Sequence, residues 1–116
     1  MKLRFRKNSL RLRVNQVEVE QLAVGQTLAE SVSFAGGAIL EYILTPSSGP
    51  TRSAHFDGKS IRITAPLHDW VRSPDIGFYF EVEPGLKIAI EKDLECVDGP
   101  AEEQDPHAYP RAAKVC

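Results

Sequence analysis

Apolar and polar residues alternate over most of the first 93 residues, in short runs that turn residues separate. A period of two is typical of β-strands with one buried face. The predicted strands are residues 2–6, 9–14, 27–34, 38–44, 51–56, 60–65, 77–83 and 86–92. The alternation is clearest in 2–6, 9–14 and 86–92, whereas 38–44 is apolar on both faces. Two short helices are predicted between them. Asn15 and Glu18 have the spacing of a capping box, and Leu67, Trp70 and Val71 have helical spacing.

The chain contains one strand-turn-strand pattern twice. Residues 5–12, FRKNSLRL, and residues 56–63, FDGKSIRI, share the pattern Phe-x-x-x-Ser-(Leu/Ile)-Arg-(Leu/Ile) at an offset of 51 residues. A helical pattern and two further strand patterns follow each copy. We therefore predict an α+β domain of mainly antiparallel sheet over residues 1–93. It would consist of two ββαββ halves, residues 2–45 and 51–92, related by a pseudo-two-fold axis. A closed or barrel-like sheet is expected, because closure removes exposed strand edges.

Composition restricts the class of protein. The 116 residues are 42% hydrophobic and 26% charged, as is usual for a soluble domain. No apolar run approaches the roughly 18 residues of a membrane span, and the N-terminus lacks the apolar region of a signal peptide. Two cysteines do not make a disulfide framework. We expect a cytoplasmic protein without a membrane segment.

The net charge of −2 hides an uneven distribution. Six of the 14 basic residues lie within the first 13 positions, whereas residues 91–105 contain seven acids and one lysine. We expect residues 94–116 to form an acidic, proline-containing arm, extended or disordered, that covers the basic N-terminal hairpin within the chain or across a dimer. A protein partner or self-association would also cover the hairpin, and a small anion bound there is the second alternative. Nucleic acid is disfavoured, because no aromatic residues alternate outward among the basic ones.

Four arginines of the first hairpin are the candidate anion-binding residues: Arg4, Arg6, Arg11 and Arg13. Arginine can bind phosphates or carboxylates through two parallel hydrogen bonds. If these side chains faced a barrel interior, the site would be similar to the triphosphate tunnel phosphohydrolases, with carboxylates from Glu41, Glu81 and Glu91 on the metal side. That family's Glu-x-Glu-x-Lys strand motif is absent, because Glu18-Val19-Glu20 lies in the predicted helix. The enzyme is therefore the second hypothesis.

A weaker set of metal candidates lies near the C-terminus: Cys96, His107 and Cys116. Zinc sites usually contain a closely spaced ligand pair, and these residues provide none. The two cysteines could instead be unlinked thiols or form a disulfide. We predict no cofactor and no catalytic residue.

The opening MKLRFRKNSLRLR, the later IEKDLEC and the acidic EEQDPHAYP section resemble a family of small uncharacterised bacterial proteins. The resemblance implies a bacterial cytosolic domain and brings no catalytic residues with it. Together with the charge distribution, it leads us to expect a non-enzymatic binding or interaction domain. An anion-binding barrel, for polyphosphate or a nucleotide, is the alternative.

Overall fold

The strands and helices that the alternation predicts are present in the computed structural model, which describes residues 1–93, 107 and 109. The strands are β1 (Lys2–Arg6), β2 (Ser9–Val14), β3 (Leu28–Ser33), β4 (Ile39–Pro46), β5 (Ser53–Phe56), β6 (Ser60–Ala65), β7 (Gly77–Val82) and β8 (Leu86–Lys92). Helix α1 (Gln16–Ala23) follows β2, and helix α2 (His68–Arg72) follows β6. A 3-10 turn at Ala35–Gly37 joins β3 to β4, with positive φ at both glycines.

The strands form two four-stranded sheets. The first sheet has the order β1-β2-β8-β7, and the second has the order β3-β4-β6-β5. Each sheet consists of two antiparallel hairpins, and a parallel pair joins them at the centre: β2 with β8 in one sheet, β4 with β6 in the other. The sheets are therefore mixed, and each takes one hairpin from residues 2–46 and one from residues 53–92.

The expectation of a closed barrel is wrong for the described residues. Strands β1 and β7 are the edges of the first sheet, β3 and β5 are the edges of the second, and no ladder joins the two sheets. A closed barrel would require the outer strands of one sheet to pair with those of the other. In this fold the hairpins of each sheet are joined through their inner strands, by the parallel pairs β2–β8 and β4–β6, so the outer strands stay unpaired on one side. Charged side chains along β1 protect its open edge from pairing with another chain.

One hydrophobic core lies between the inner faces of the sheets and the buried sides of the helices. Its buried members are Leu10, Leu12, Val14, Val19, Leu22, Leu28, Leu44, Ile61, Ile63, Ala65, Leu67, Trp70, Ile88 and Ile90. The two phenylalanines of the repeated pattern are not among them. Phe5 is 59% exposed and Phe56 is 66% exposed, although both alternate toward the inner faces. Both occupy edge strands close to a hairpin turn, where less of the molecule lies over the inner face.

The turn between β1 and β2 consists of Lys7 and Asn8. Lys7, rather than Asn8, has the positive φ, at 52°. Asn8 instead makes tertiary contacts: its side-chain nitrogen donates to the carbonyl of Gly85 at 3.0 Å, and its own carbonyl accepts from the backbone nitrogen of Lys87 at 3.1 Å. The first hairpin is thereby attached to the start of β8.

The predicted capping box of α1 is confirmed. The Asn15 side chain accepts from the Glu18 nitrogen at 2.9 Å, and the Glu18 carboxylate accepts from the Asn15 nitrogen at 3.0 Å. Glu18 also binds the α-amino group of Met1, which Glu30 contacts at 3.2 Å. Burial opposes the charge of this amino group, but the two carboxylates outweigh burial and raise its pKa. The start of β1 is thus held against α1 and β3.

The central strands should determine stability. Leu44 on β4 is fully buried, whereas Ile39 on the same strand is 56% exposed. We expect Leu44→Ala to lower the free energy of unfolding by about 2–5 kcal/mol, since it leaves a cavity in the core. Ile39→Ala, the matched control, should cost less than about 1 kcal/mol. Urea unfolding measures both, and equal losses would contradict the assigned register of β4.

Candidate functional site

The outer face of the first sheet gathers the basic residues of the N-terminus. In β2, Leu10, Leu12 and Val14 are buried, so the residues between them point to the opposite, solvent side. The same side of β1 and β8 brings the total to six cationic side chains, which we call the basic face: Lys2, Arg4, Arg6, Arg11, Arg13 and Lys87. All four arginines that the sequence singled out lie on it.

Strand register places like charges directly opposite each other. Arg4 lies opposite Arg11, and Lys2 lies opposite Arg13, across the β1–β2 ladder. Directly opposed like charges destabilise a strand pair. The basic face therefore requires counter-charges, from this chain or from another molecule.

Glu91, on β8, supplies part of this counter-charge. One of its carboxylate oxygens lies 2.9 Å from Nε of Arg11 and 3.8 Å from Nε of Arg13. Its other oxygen accepts a hydrogen bond from the Tyr79 hydroxyl at 2.9 Å. Burial raises the pKa of Tyr79, and the hydrogen bond and negative charge of Glu91 raise it further, whereas Arg11 lowers it. Glu91 thus holds an arginine and a tyrosine in fixed positions.

Tyr79 depends on a glycine for its position. Its ring and hydroxyl lie over Gly77, on the same face of β7, where an added Cβ would overlap them. Gly77 lies directly opposite Glu91 in the β7–β8 ladder. The missing side chain at residue 77 is therefore what lets the tyrosine reach the Glu91 carboxylate.

Asp93 neutralises the other end of the basic face. Its carboxylate lies 2.7 Å from Nζ of Lys2. Its backbone nitrogen donates to the Val14 carbonyl at 2.8 Å, and its carbonyl accepts from the Tyr109 nitrogen at 2.6 Å. Glu91 and Asp93 are the first two acids of the acidic stretch, and both pair with the basic hairpin. The rest of that stretch, residues 94–105, lies outside the described residues.

The remaining cations have no such partner in the described chain. Arg4, Arg6 and Lys87 form no ion pair with any residue among 1–93, 107 and 109. All three are exposed. The part of the basic face nearest the β1–β2 turn is therefore the part that can accept an external anion.

A shallow depression of about 530 Å³ lies beside one of these cations, Lys87. Its outward-facing lining residues are Ser9, Arg11, Tyr79, Glu81, Lys87 and Ala89. Ala89 lies beside Arg11 on one side and Tyr79 on the other. Because its side chain is a single methyl group, it forms a low floor between two longer neighbours.

The carboxylates of the second hypothesis are not brought together. Glu81 and Glu91 lie on the first sheet, whereas Glu41 lies on the second sheet and accepts from the Ser60 hydroxyl at 3.3 Å. Among the described residues, no group of three or more His, Cys, Asp or Glu side chains could hold a metal ion. Of the weak metal candidates, Cys96 and Cys116 lie outside the described residues. The carbonyl of His107 accepts from the Gln16 nitrogen at 3.0 Å.

Lys92 is the buried cation of the described chain, at 6% exposure. Its ammonium donates to the Ser73 carbonyl at 2.5 Å and lies 5.2 Å from the centroid of the Trp70 ring. Burial lowers its pKa, and Asp75 opposes the shift. These contacts join the end of β8 to the end of α2, which is a structural role.

Sequence reasoning did not identify Tyr79, Lys87 and Ala89 as parts of this face. The alternation of β7 and β8 does place them outward. It does not show that β8 lies beside β2, because the parallel pairing joins residues almost 80 positions apart, such as Ser9 and Lys87. No local pattern marks such a pairing.

The fold and the site define a mostly β domain with two mixed sheets, two helices and a basic surface. The chain belongs to DUF7009, a family of unknown function whose model matches residues 1–113. Comparison with curated proteins and with solved structures gives no match. Neither helix of the described chain has the length and apolar character needed to cross a lipid bilayer.

Replacing the Glu91 carboxylate by an amide should change the titration of Tyr79. We expect Glu91→Gln to lower the Tyr79 pKa toward the ordinary value of about 10, because the negative charge that disfavours tyrosinate is lost. In the parent chain the raised pKa stabilises the fold below about pH 10, and that contribution disappears as the pH rises through the folded-state pKa. In Glu91→Gln this contribution should be smaller, and its loss should be complete at a lower pH.

Ultraviolet titration measures this change. The Tyr79→Phe variant shows only Tyr42 and Tyr109, so subtracting its titration curve gives the curve of Tyr79. An unchanged Tyr79 titration in Glu91→Gln would contradict the contact between the two side chains.

Proposed function

We propose that this protein is a non-enzymatic interaction domain whose basic face binds an acidic polypeptide segment. The chain itself provides one such segment: residues 94–105 contain five acids and no lysine or arginine. The bound segment would come from the same chain or from a second copy. Either arrangement would neutralise the cations that lack a partner in the described chain.

The observation that supports this proposal most directly is the division of charge on the basic face. Lys2, Arg11 and Arg13 lie close to Glu91 or Asp93, while Arg4, Arg6 and Lys87 form no ion pair with the described residues. Complementary charge mainly determines which partner binds and in which register. The acids that come next in the sequence after Asp93 are therefore the natural counter-charges for the remaining cations.

The same geometry favours binding over phosphohydrolysis. A tunnel enzyme requires arginines inside a closed barrel and carboxylates facing them. Here the arginines occupy the outer face of an open sheet, and Glu41 lies on the other sheet. We therefore retain anion binding as part of the proposal, without a reaction.

We also infer that the two halves arose by duplication of one ββαββ unit. The pair Phe5–Leu10 in the first hairpin corresponds to Phe56–Ile61 in the third, at the same offset of 51 that the repeated pattern shows. The two sheets also have equivalent strand orders. If β1 corresponds to β5, β2 to β6, β8 to β4 and β7 to β3, the order β1-β2-β8-β7 becomes β5-β6-β4-β3, which is the order of the second sheet read from its other edge. The outer face of the second sheet is then a matched control surface, with Arg62 at the place of Arg11.

A double-mutant cycle tests the proposed contact between the acidic segment and the basic face. One variant neutralises the segment in the full chain, with the substitutions E95Q, D98N, E102Q, E103Q and D105N. The other is Arg4→Ala/Arg6→Ala. At about 20 mM salt we expect a coupling free energy of about 0.5–3 kcal/mol between them, which should vanish at about 500 mM salt. Thermal unfolding and urea unfolding measure the coupling.

Neutralisation is preferable to truncation, because the Tyr109 nitrogen bonds to Asp93 and its removal would destabilise the core for another reason. Arg62→Ala should show no coupling to the segment. Light scattering distinguishes contact within one chain from contact between two copies. Additive effects of the two variants at low salt would refute binding of this segment.

A further inference from the structure

The depression on the basic face exists because one strand position carries a small side chain. Ala89 lies beside Arg11 in the parallel pairing of β2 and β8, just as Ile43 lies beside Arg62 in the parallel pairing of β4 and β6. At the corresponding place of the second sheet a branched four-carbon side chain fills the space. The first sheet therefore has a small side chain where the second sheet has a large one.

The groups around this recess suit an oxyanion. Arg11 stands at one side, and its guanidinium is held in one orientation by Glu91 through Nε. Lys87 is a diagonal neighbour on β8 and forms no ion pair with the described residues. Cations that are already oriented lose less conformational freedom when they bind, and guanidinium matches the geometry of carboxylate and phosphate.

The other side of the recess gives it selectivity. Tyr79 forms an aromatic wall, and its hydroxyl is already bonded to Glu91. Glu81 lies directly opposite Lys87 on β7 and places a negative charge at the far edge. Glu81 disfavours an anion at that edge, so the position between Arg11 and Lys87, over Ala89, is the more favourable one for an anion.

We propose that the recess over Ala89 is the anchor point of the basic face and binds one side-chain oxyanion of the acidic partner, a carboxylate or a phosphomonoester, between Arg11 and Lys87. This rests on the proposed function, since it specifies where the acidic segment attaches. The remaining cations, Arg4 and Arg6, attract the segment without fixing a single residue of it.

The variant Ala89→Ile tests the contribution of the recess to binding without changing the charge around it. The substitution introduces the residue that β4 carries at the corresponding place, a β-branched side chain that suits a strand, and it leaves every cation unchanged. The probe is a fluorescent peptide of residues 94–105 that carries the substitution C96S. Fluorescence anisotropy measures its Kd for the full chain carrying the neutralised segment, so that no internal segment competes.

We expect Ala89→Ile to weaken peptide binding about tenfold, as the loss of one charge-assisted contact would. Lys87→Ala should weaken it to a similar extent and does not depend on tolerance of a larger side chain. Arg62→Ala on the second sheet should leave the Kd within about twofold of the parent. A second peptide, with phosphoserine in place of Glu102, and free inorganic phosphate show which oxyanion binds more tightly.

Two results overturn the inference in distinguishable ways. If Arg4→Ala/Arg6→Ala weakens binding while Ala89→Ile and Lys87→Ala do not, the basic face binds acidic peptides and the recess has no part in it. If none of these variants changes the Kd, the proposed function fails as well. Equal binding of a single-stranded oligonucleotide, with the same loss in Ala89→Ile, would replace the polypeptide partner by a nucleic acid.

Discussion

The parallel pairing at the centre of each sheet is the constraint on which the rest of the structure depends. Strand β2 is completed by β8, almost 80 residues later, and β4 by β6. The strands of these pairs contribute most of the fully buried residues, among them Leu12, Leu44 and Ile90. Neither hairpin of a sheet covers its own apolar face sufficiently, and two-stranded hairpins are marginal in water. The hydrophobic core and the basic face therefore both depend on the pairing of the last strand with the first hairpin.

This dependence explains which features could be predicted from sequence. Local rules were sufficient for the strands, the hairpin turns and the capping box of Asn15 and Glu18, because each depends on residues within a few positions. The closed barrel was wrong because strand pairing across the whole chain is not encoded in any short pattern. The same limit hid Lys87 and Ala89 from the candidate site. Gly77 gave no signal either, since its role appears only when Tyr79 folds over it.

The two sheets have the same framework and different surfaces. On the first, Arg11 is surrounded by Arg4, Arg13 and Lys87; on the second, Arg62 has His55 and Ile43 as its strand neighbours. Apart from Lys92 at the end of β8, the buried inner-face positions of both sheets are apolar. Packing requirements explain the shared interior, but nothing in the packing requires six cations on one exterior and not on the other. Crowded like charge costs stability, and this cost is consistent with the binding role proposed above.

Solvent exposure determines the kind of binding that such a face can support. Individual exposed ion pairs contribute about 0–1 kcal/mol, so no single contact with Arg4 or Arg6 could hold a partner. Several weak contacts and one oriented anchor give an association that forms quickly, depends on salt and can be displaced by a competitor with better spacing. The acidic segment of the chain would then be a reversible occupant, and the strength of the anchor at Arg11 and Lys87 would decide which acidic partner replaces it.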